Sequence, residues 1–381
     1  MKILYVASDQ RVPGRTGGSV HVEEVARGLA ERGHELHVVA LRGQGEAPST
    51  FALHPSPMWV EHRFFRWTAR RGVGELLDRL EIDVVMERYY NFAGEGVRAA
   101  SERNVPVLLE VNAPLKEHPG SWKGRLDALA LVRPMSRLRN AMCAEAKAIV
   151  TPLTSIIPDE VPREKIHRVS WGANVDHFHP EVDPRPLPLP HDRPVVVFSG
   201  SFRPWHGADV LVRAAAKLSE ASFLFLGDGP TLRQTRELAV ELGVEERVVF
   251  TGAVPYDEMP SYVKCADVGV APYQPRRLGQ MQLGFFWSPL KIFEYMATGL
   301  PVVSLDVPPL REIVRPTEGV LLAEGDIDAM VEAIRSLLRD PEAARAKGRS
   351  GRERVVAEFS WQRHCEQLEQ ILRGIIGAPA A

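Results

Sequence analysis

Apolar residues recur along this chain with two alternating spacings. Short runs rich in Val, Ile and Leu stand at Ile3 to Val6, Leu36 to Ala40, Val84 to Met86, Val107 to Leu109 and Ala148 to Val150. Longer stretches with apolar positions three and four apart separate them. The runs predict strands and the stretches predict helices, so together they predict a parallel sheet wrapped by helices. The pattern restarts at Val195 to Ser199 and continues through Phe223 to Leu226, Val248 to Thr251, Val268 to Ala271 and Val302 to Leu305. Between the halves, Pro180, Pro184, Pro186, Pro188, Pro190 and Pro194 sit among charged residues, the composition of an extended linker. The expected architecture is α/β: two Rossmann-like domains, 1–176 and 195–359, joined by a linker over 177–194. A last helix over 360–381, with apolar Trp361, Leu368, Ile371 and Ile375, is expected to pack back on the first domain. Open parallel sheets bind ligands beyond the carboxyl ends of their strands, so a cleft between the facing domains is the expected site.

Composition narrows the partners. A chain of 381 residues suits two cores better than one. Its 47 basic and 49 acidic residues nearly cancel, which gives no reason to expect nucleic acid as a partner. Cys143, Cys265 and Cys365 are few and far apart, which argues for a reducing compartment and against disulfides or a zinc site. Met1 to Val6 reads as a strand rather than a leader, and no apolar run reaches the roughly 20 residues of a membrane span. A cytoplasmic protein is expected.

The most informative segment is Ser288-Pro-Leu-Lys-Ile-Phe-Glu-Tyr-Met-Ala-Thr-Gly299. Ser288 is a good N-cap, Pro289 suits a first helical position, and Gly299 can end the helix in a left-handed conformation. Three-to-four spacing gathers Lys291, Glu294, Tyr295 and Thr298 near one side, close to the free amides of the helix start. Such an element can meet an anion and a sugar diol together. The same spacing also fits an ordinary amphipathic helix with a surface ion pair.

Three glycine-bearing turns follow strands. Gly14-Arg-Thr-Gly17-Gly18-Ser19 opens a helix with an apolar face at Val22, Val25, Ala26 and Leu29. It lacks the Gly-x-Gly-x-x-Gly spacing of a dinucleotide fingerprint, which counts against nicotinamide or flavin chemistry. His21, in its first turn, suits either the cleft lining or a packing role. In Ser199-Gly200-Ser201-Phe-Arg203-Pro-Trp205-His206-Gly207, Arg203 and His206 are the donors best placed for a phosphate. Gly227-Asp-Gly229-Pro230 is a third, weaker signal of the same kind.

In this order the pieces resemble the retaining GT-B glycosyltransferases, in particular family 4. The resemblance spans essentially the whole chain and rests on Gly17-Gly18 with His21, the segment Gly172 to Pro180, Gly200 to Gly207, Gly227 to Gly229, Gly252, Pro272, Ser288 to Pro301, and Gly319 with Asp326. It implies that Glu294 binds the ribose hydroxyls of a nucleotide, that the amides of Leu290 and Lys291 lie near its diphosphate, and that the Lys291 side chain adds a cation. The cationic pair of the second glycine loop falls here on Ser201 and His206, with Arg203 as a substitute charge. The first of the family's paired glutamates falls on Phe286, and from Val268 to Phe293 there is no Asp or Glu at all. In the first domain Glu110 and Asn112 stand where relatives carry a histidine near the reacting carbon.

The implied function is a retaining, metal-independent transfer of a sugar from a nucleoside-diphosphate sugar to a carbohydrate, lipid-linked or small-molecule acceptor. The catalytic candidates are Glu294, Arg203, Glu110, Asn112 and His21. The donor-binding candidates are Gly17, Gly18, Gly200, Ser201, Arg203, His206, Gly229, Ser288, Leu290, Lys291 and Glu294. No cofactor is expected, and Asp326-Ile-Asp328 reads as a helix cap rather than a cation site. Same-face substitution is the expected route, with Glu110 as an alternative nucleophile or base and a strand-end carboxylate role as its plainer reading. Lys116, Glu117 and His118 are candidates for the acceptor side, and Phe285, Phe286 and Trp287 for stacking on a sugar or for core. Basic and aromatic residues from His62 to Arg71, and Arg133, Arg137 and Arg139, could touch the inner face of a membrane or, as ordinary helices, bury their aromatics. Two other classes compete: an enzyme like a nucleotide-sugar 2-epimerase, for which the acid-free stretch is unfavourable, and a non-catalytic carbohydrate-binding protein.

Overall fold

A computed structural model describes the chain except for residues 15, 47, 90–92, 116–121, 130–133, 191, 279–284, 286–287 and 378–381, with backbone alone at 63, 64, 122–124, 127, 134 and 135. Lys116, Glu117, His118, Arg133, Phe286 and Trp287 therefore lie outside the described residues. The chain forms two compact units. Met1–Trp171 builds one together with Ser288 and the C-terminal Trp361–Ala381, and Gly172–Phe285 with Pro289–Ser360 builds the other.

In the first unit seven strands run parallel: β1 Lys2–Val12, β2 Glu35–Arg42, β3 Ala52–Pro55, β4 Val84–Tyr89, β5 Val107–Val111, β6 Ala148–Thr151 and β7 Ile166–Arg168. Their order is β3-β2-β1-β4-β5-β6-β7. In the second unit, β8 Val195–Ser199, β9 Ser222–Leu226, β10 Val248–Gly252, β11 Val268–Ala271, β12 Val302–Leu305 and β13 Gly319–Leu322 form a parallel sheet in the order β10-β9-β8-β11-β12-β13. Both are doubly wound parallel sheets of the Rossmann kind expected from the sequence. The order of the second reverses between β8 and β11, and the crevice beyond the carboxyl ends of those two strands is where such a sheet takes a ligand.

All ten runs of the apolar pattern are strands. The three others, β3, β7 and β13, are edge strands, and most of their residues are half-buried or exposed. An edge strand with one face in water needs no continuous apolar run, so the pattern does not mark it. The second unit's core joins Val196 and Phe198 of β8, Phe223 and Phe225 of β9, and Val268 and Val270 of β11 to Leu211 and Ala215 of the helix Ala208–Ala215 and to Ile334 and Leu337 of the helix Ile327–Arg339. In the first unit the helix Gly17–Glu31 begins at a Thr16 cap, whose side chain accepts from the Ser19 amide, and buries Val22, Val25, Ala26 and Leu29. Among the described residues no helix is long and apolar enough to cross a membrane.

Candidate active site

The loops beyond β8, β9 and β11 touch backbone to backbone, and glycines make that approach feasible. Gly227, at φ +117°, lies so close to the Gly200 carbonyl that a side-chain carbon would collide with it. Gly229 bears in the same way on the Ser201 carbonyl, and Gly207 on the Pro272 carbonyl. Thr231 locks two of the loops together, its amide and hydroxyl both donating to the Phe202 carbonyl at 3.0 and 2.6 Å. The glycine turns beyond β8 and β9 thus form one preorganised rim, with Gly227 against Gly200, Gly229 against Ser201, and Ser201 and Arg203 exposed on it.

The predicted short helix is present as Leu290–Thr298, and Gly299 ends it at φ +83°. Its start differs from expectation. Pro289 occupies the N-cap position without a side-chain cap, and the Ser288 hydroxyl instead accepts from the Trp171 amide at 3.2 Å. A proline ring fixes its own φ and has no N–H to offer, so the chain turns into the helix without a polar cap. The first helical amides, at Leu290 and Lys291, have no acceptor within the helix. The expected polar face is also more enclosed than a surface ion pair: Lys291, Tyr295 and Thr298 are buried, and Tyr295 accepts from the Ser199 amide at 2.7 Å. Leu290 and Glu294, four residues apart, are the half-buried positions of the helix and mark its accessible side.

Lys291 enters a small aromatic recess, with Nζ 4.2 Å from the Phe198 ring centre and 5.2 Å from that of Tyr273. Its ammonium and Nδ1 of His206 converge on Gly200, 2.7 and 2.9 Å from where a side-chain carbon would stand. Neither nitrogen has a hydrogen-bond partner among the described residues. Burial pushes the Lys291 amine down to about 7, against the pull of Glu294. Burial, and then Lys291 and Arg203, push His206 down to about 2. Burial raises the Glu294 carboxyl above the usual carboxylate range while Lys291 opposes that shift. Two orphaned buried nitrogens cost free energy while unpartnered, and an anion at Gly200 would satisfy both.

In the first unit the carboxyl end of β5 presents Glu110, whose neighbours come from four elements. Its carboxylate accepts from the Tyr5 hydroxyl, pairs with Nε2 of His21, and accepts from Nδ2 of Asn112 at 2.6 Å. Nε1 of Trp171 donates to Oδ1 of Asn112 at 3.0 Å, which fixes the amide's orientation. His21 is fully buried, stacked 4.2 Å from Trp171 and edge-on to Trp361 and His364. Burial opposes Glu110's charge, but His21, Arg88 and the Tyr5 hydroxyl outweigh it and hold the carboxyl well below its ordinary range. Burial holds His21 below its own ordinary value. An ionised carboxylate so fully partnered suits an orienting strand-end role. Gly17 and Gly18 open the helix that carries His21, and the Gln10 side chain lies against Gly18.

Arg66 departs from the basic and aromatic surface expected between His62 and Arg71. It is completely buried, donating to Glu95 at 2.8 Å and to Glu87 at 3.5 Å. The aromatic residues beside it turn outward instead: Trp67 is 57% and Trp59 76% exposed, in edge contact 5.7 Å apart. Asp326 accepts from the Ala329 amide at 2.9 Å and is the cap expected of it. Trp171, Trp361 and His364 close around His21, and Tyr5 reaches its partner Glu110, from positions far apart in sequence that no local pattern could have grouped.

Comparison with known proteins agrees with this anatomy. Residues 15–177 match the model of Glycosyltransferase Family 4 and residues 193–340 that of Glycosyl transferases group 1. The chain is 31% identical to the GDP-mannose-dependent alpha-(1-6)-phosphatidylinositol monomannoside mannosyltransferase of Mycobacterium tuberculosis H37Rv, over 98% of both chains. It is 27% identical to D-inositol 3-phosphate glycosyltransferase 1 of Catenulispora acidiphila, covering 95% of this chain and 92% of that one. In structure it is similar to sucrose-phosphate synthase from Thermosynechococcus elongatus, with a TM-score of 0.78 and 21% identity over 99% of this chain and 100% of the other. The chain belongs to glycosyltransferase family 4 and is a glycosyltransferase.

Proposed function

We infer that the chain moves a sugar from a nucleoside-diphosphate sugar to a hydroxyl acceptor, with retention at the anomeric carbon and without a metal ion. The observation that carries the donor assignment is the convergence of Lys291 and His206 on Gly200, at the switch point of the second sheet. Around that point the Leu290 and Lys291 amides, the Lys291 ammonium, His206 and the exposed Arg203 would receive the two phosphates and stabilise charge as they leave. Glu294, on the accessible side of the same helix, would accept hydrogen bonds from the ribose hydroxyls. Gly200, Ser201 and Gly229 would let the nucleotide approach the backbone. Same-face substitution suits the first unit: Glu110 is engaged with Tyr5, His21 and Asn112, and a double displacement needs a free carboxylate on the far face. Asn112, with one amide hydrogen beyond its bond to Glu110, is the residue of that group best able to touch a sugar hydroxyl. Since the aligned relatives act on a phosphatidylinositol mannoside and an inositol phosphate, phosphate-bearing polyols are the first acceptors to test.

Donor transfer is measured with a panel of guanosine-, uridine-, adenosine- and thymidine-diphosphate sugars. Glu294→Ala should lower kcat/KM at least about a hundredfold, the loss of two hydrogen bonds to a charged group. Turnover by that variant at the wild-type rate would refute the assignment. Peripheral membrane contact is part of the same reading, because the turn Arg63–Ala69 holds Arg66 inside and presents Phe65 and Trp67 outward beside Trp59. Flotation with vesicles containing phosphatidylinositol should fall several-fold for Trp59→Ser/Trp67→Ser, and equal flotation would remove the contact.

A further inference from the structure

The charge that meets the donor depends on which groups surround its cradle. Lys291 reaches Gly200 from the first turn of the helix Leu290–Thr298 and His206 from the loop after β8. Facing His206 are Lys291, Arg203 on its own loop, and Tyr273 beyond β11, whose ring centre is 6.1 Å from that of His206. Facing Lys291 are His206, the Phe198 and Tyr273 rings, and Glu294, which acts on it without a hydrogen bond. Burial drives the Tyr273 hydroxyl well above its ordinary value, so it stays neutral. Two cations crowded on one glycine, with a single half-buried carboxylate near one of them, are both disfavoured in the protonated form until an anion joins them.

Resting on the donor reading above, we propose that the cradle lacks protons it needs before the donor arrives, and that a nucleoside-diphosphate sugar binds with proton uptake, at His206 in mildly acid and at Lys291 in mildly alkaline solution. A permanently cationic pair, which the family resemblance would place at Ser201 and His206, arrives with its charge in place. This chain instead draws its charge from water when the diphosphate enters. Burial and the two neighbouring cations keep His206 unprotonated before the donor enters, and burial brings Lys291 down to about 7, so that it is largely unprotonated in mildly alkaline solution. Placing a diphosphate against both nitrogens reverses the balance and raises both values. Binding that takes up one proton weakens about tenfold for each pH unit of rise, so donor affinity should fall as the solution becomes alkaline.

The probe is a nucleotide sugar rather than a nucleoside diphosphate, because its esterified phosphates exchange no proton near neutrality and leave the protein as the source of the signal. Calorimetric titration with the best-binding member of the panel, in two buffers of different ionisation enthalpy, counts the protons. The expected result is uptake of about one proton per donor at pH 6 and again at pH 8. His206→Gln should abolish the uptake at pH 6 and keep it at pH 8, and Lys291→Arg should do the reverse. Binding without proton exchange at both pH values in the wild type would overturn the proposal and leave the donor assignment standing. If no nucleotide sugar of the panel binds at either pH, the donor assignment falls and this inference with it.

Discussion

His364 shows how a single side chain ties the chain's C-terminal segment to the pH of its surroundings. Its Nδ1 sits 2.7 Å from the Ser170 carbonyl and its ring is edge-on to His21 and Trp361, so the proton it would gain in acid has no acceptor to meet. Burial, helped by His21, pushes it from 6.5 down to about 4. As pH falls from about 6.5 toward 4, the unfolded chain takes up a proton that the folded chain refuses, so stability is lost across that window. A shift of this size is worth up to about 3 kcal/mol. Urea midpoints at pH 7 and pH 4.5 should differ less for His364→Gln than for the wild type, and equal differences would exclude this residue as the source. The sequence marked His21 as a choice between cleft and packing, and only the fold could decide what surrounds it. Stacking on Trp171 and pairing with Glu110 are contacts between residues 150 and 89 positions away, beyond any local pattern.

At the scale of elements, the donor helix was legible where its signals were local and obscure where they were tertiary. Its extent and its Gly299 stop follow from spacing and from one residue that accepts a positive φ. The burial of Lys291 and Tyr295 does not, because it depends on Phe198, Ser199 and Tyr273 arriving from other strands and loops. Nor did the sequence announce the buttress beneath the helix. In the helix Pro341–Glu358, Gly348 presses on the Gly299 carbonyl and Gly351 on Met296. Arg352 of the same helix donates to the Val175, Phe178 and Ala297 carbonyls at 2.9, 2.8 and 3.0 Å. Gly348→Ala would drive a methyl into the Gly299 carbonyl, at a cost of about 1–3 kcal/mol, and displace the donor helix. Thermal melts should register the loss, and the KM for donor should rise by a larger factor than kcat falls. Gly374→Ala, in the helix Trp361–Gly377 with open space around it, is the control and should leave both constants alone. A Gly348 variant with unchanged melting and KM would show that the two helices do not bear on each other.

The molecule as a whole makes its first unit from both ends of its sequence. The C-terminal helix Trp361–Gly377 lies against the helix Gly17–Glu31, with Cys365 pressed on Gly28. Glu369 binds Arg32 at 2.5 Å and His34 at 3.2 Å. Its apolar pattern foretold the helix and its buried Trp361 and Leu368, although Leu372 rather than Ile371 completes the buried face. That helix covers Trp361's neighbour His21 and the packed surface around it, so a fragment that stops at the end of the first sheet's strands keeps the sheet but lacks part of the unit's helical cover. A chain of residues 1–171 would expose the faces that Trp361, Cys365, Leu368 and Leu372 bury, and would leave His21 open to water. Burying a side chain of that size contributes about 1.5–3 kcal/mol, so losing four of them exceeds much of the stability of a typical domain. The fragment should therefore lack a cooperative thermal transition and bind a hydrophobic dye. A fragment that joins residues 361–377 to it through a flexible linker should regain the transition. If the shorter fragment melts as sharply as the extended one, the C-terminal helix is an ornament on a unit that folds without it.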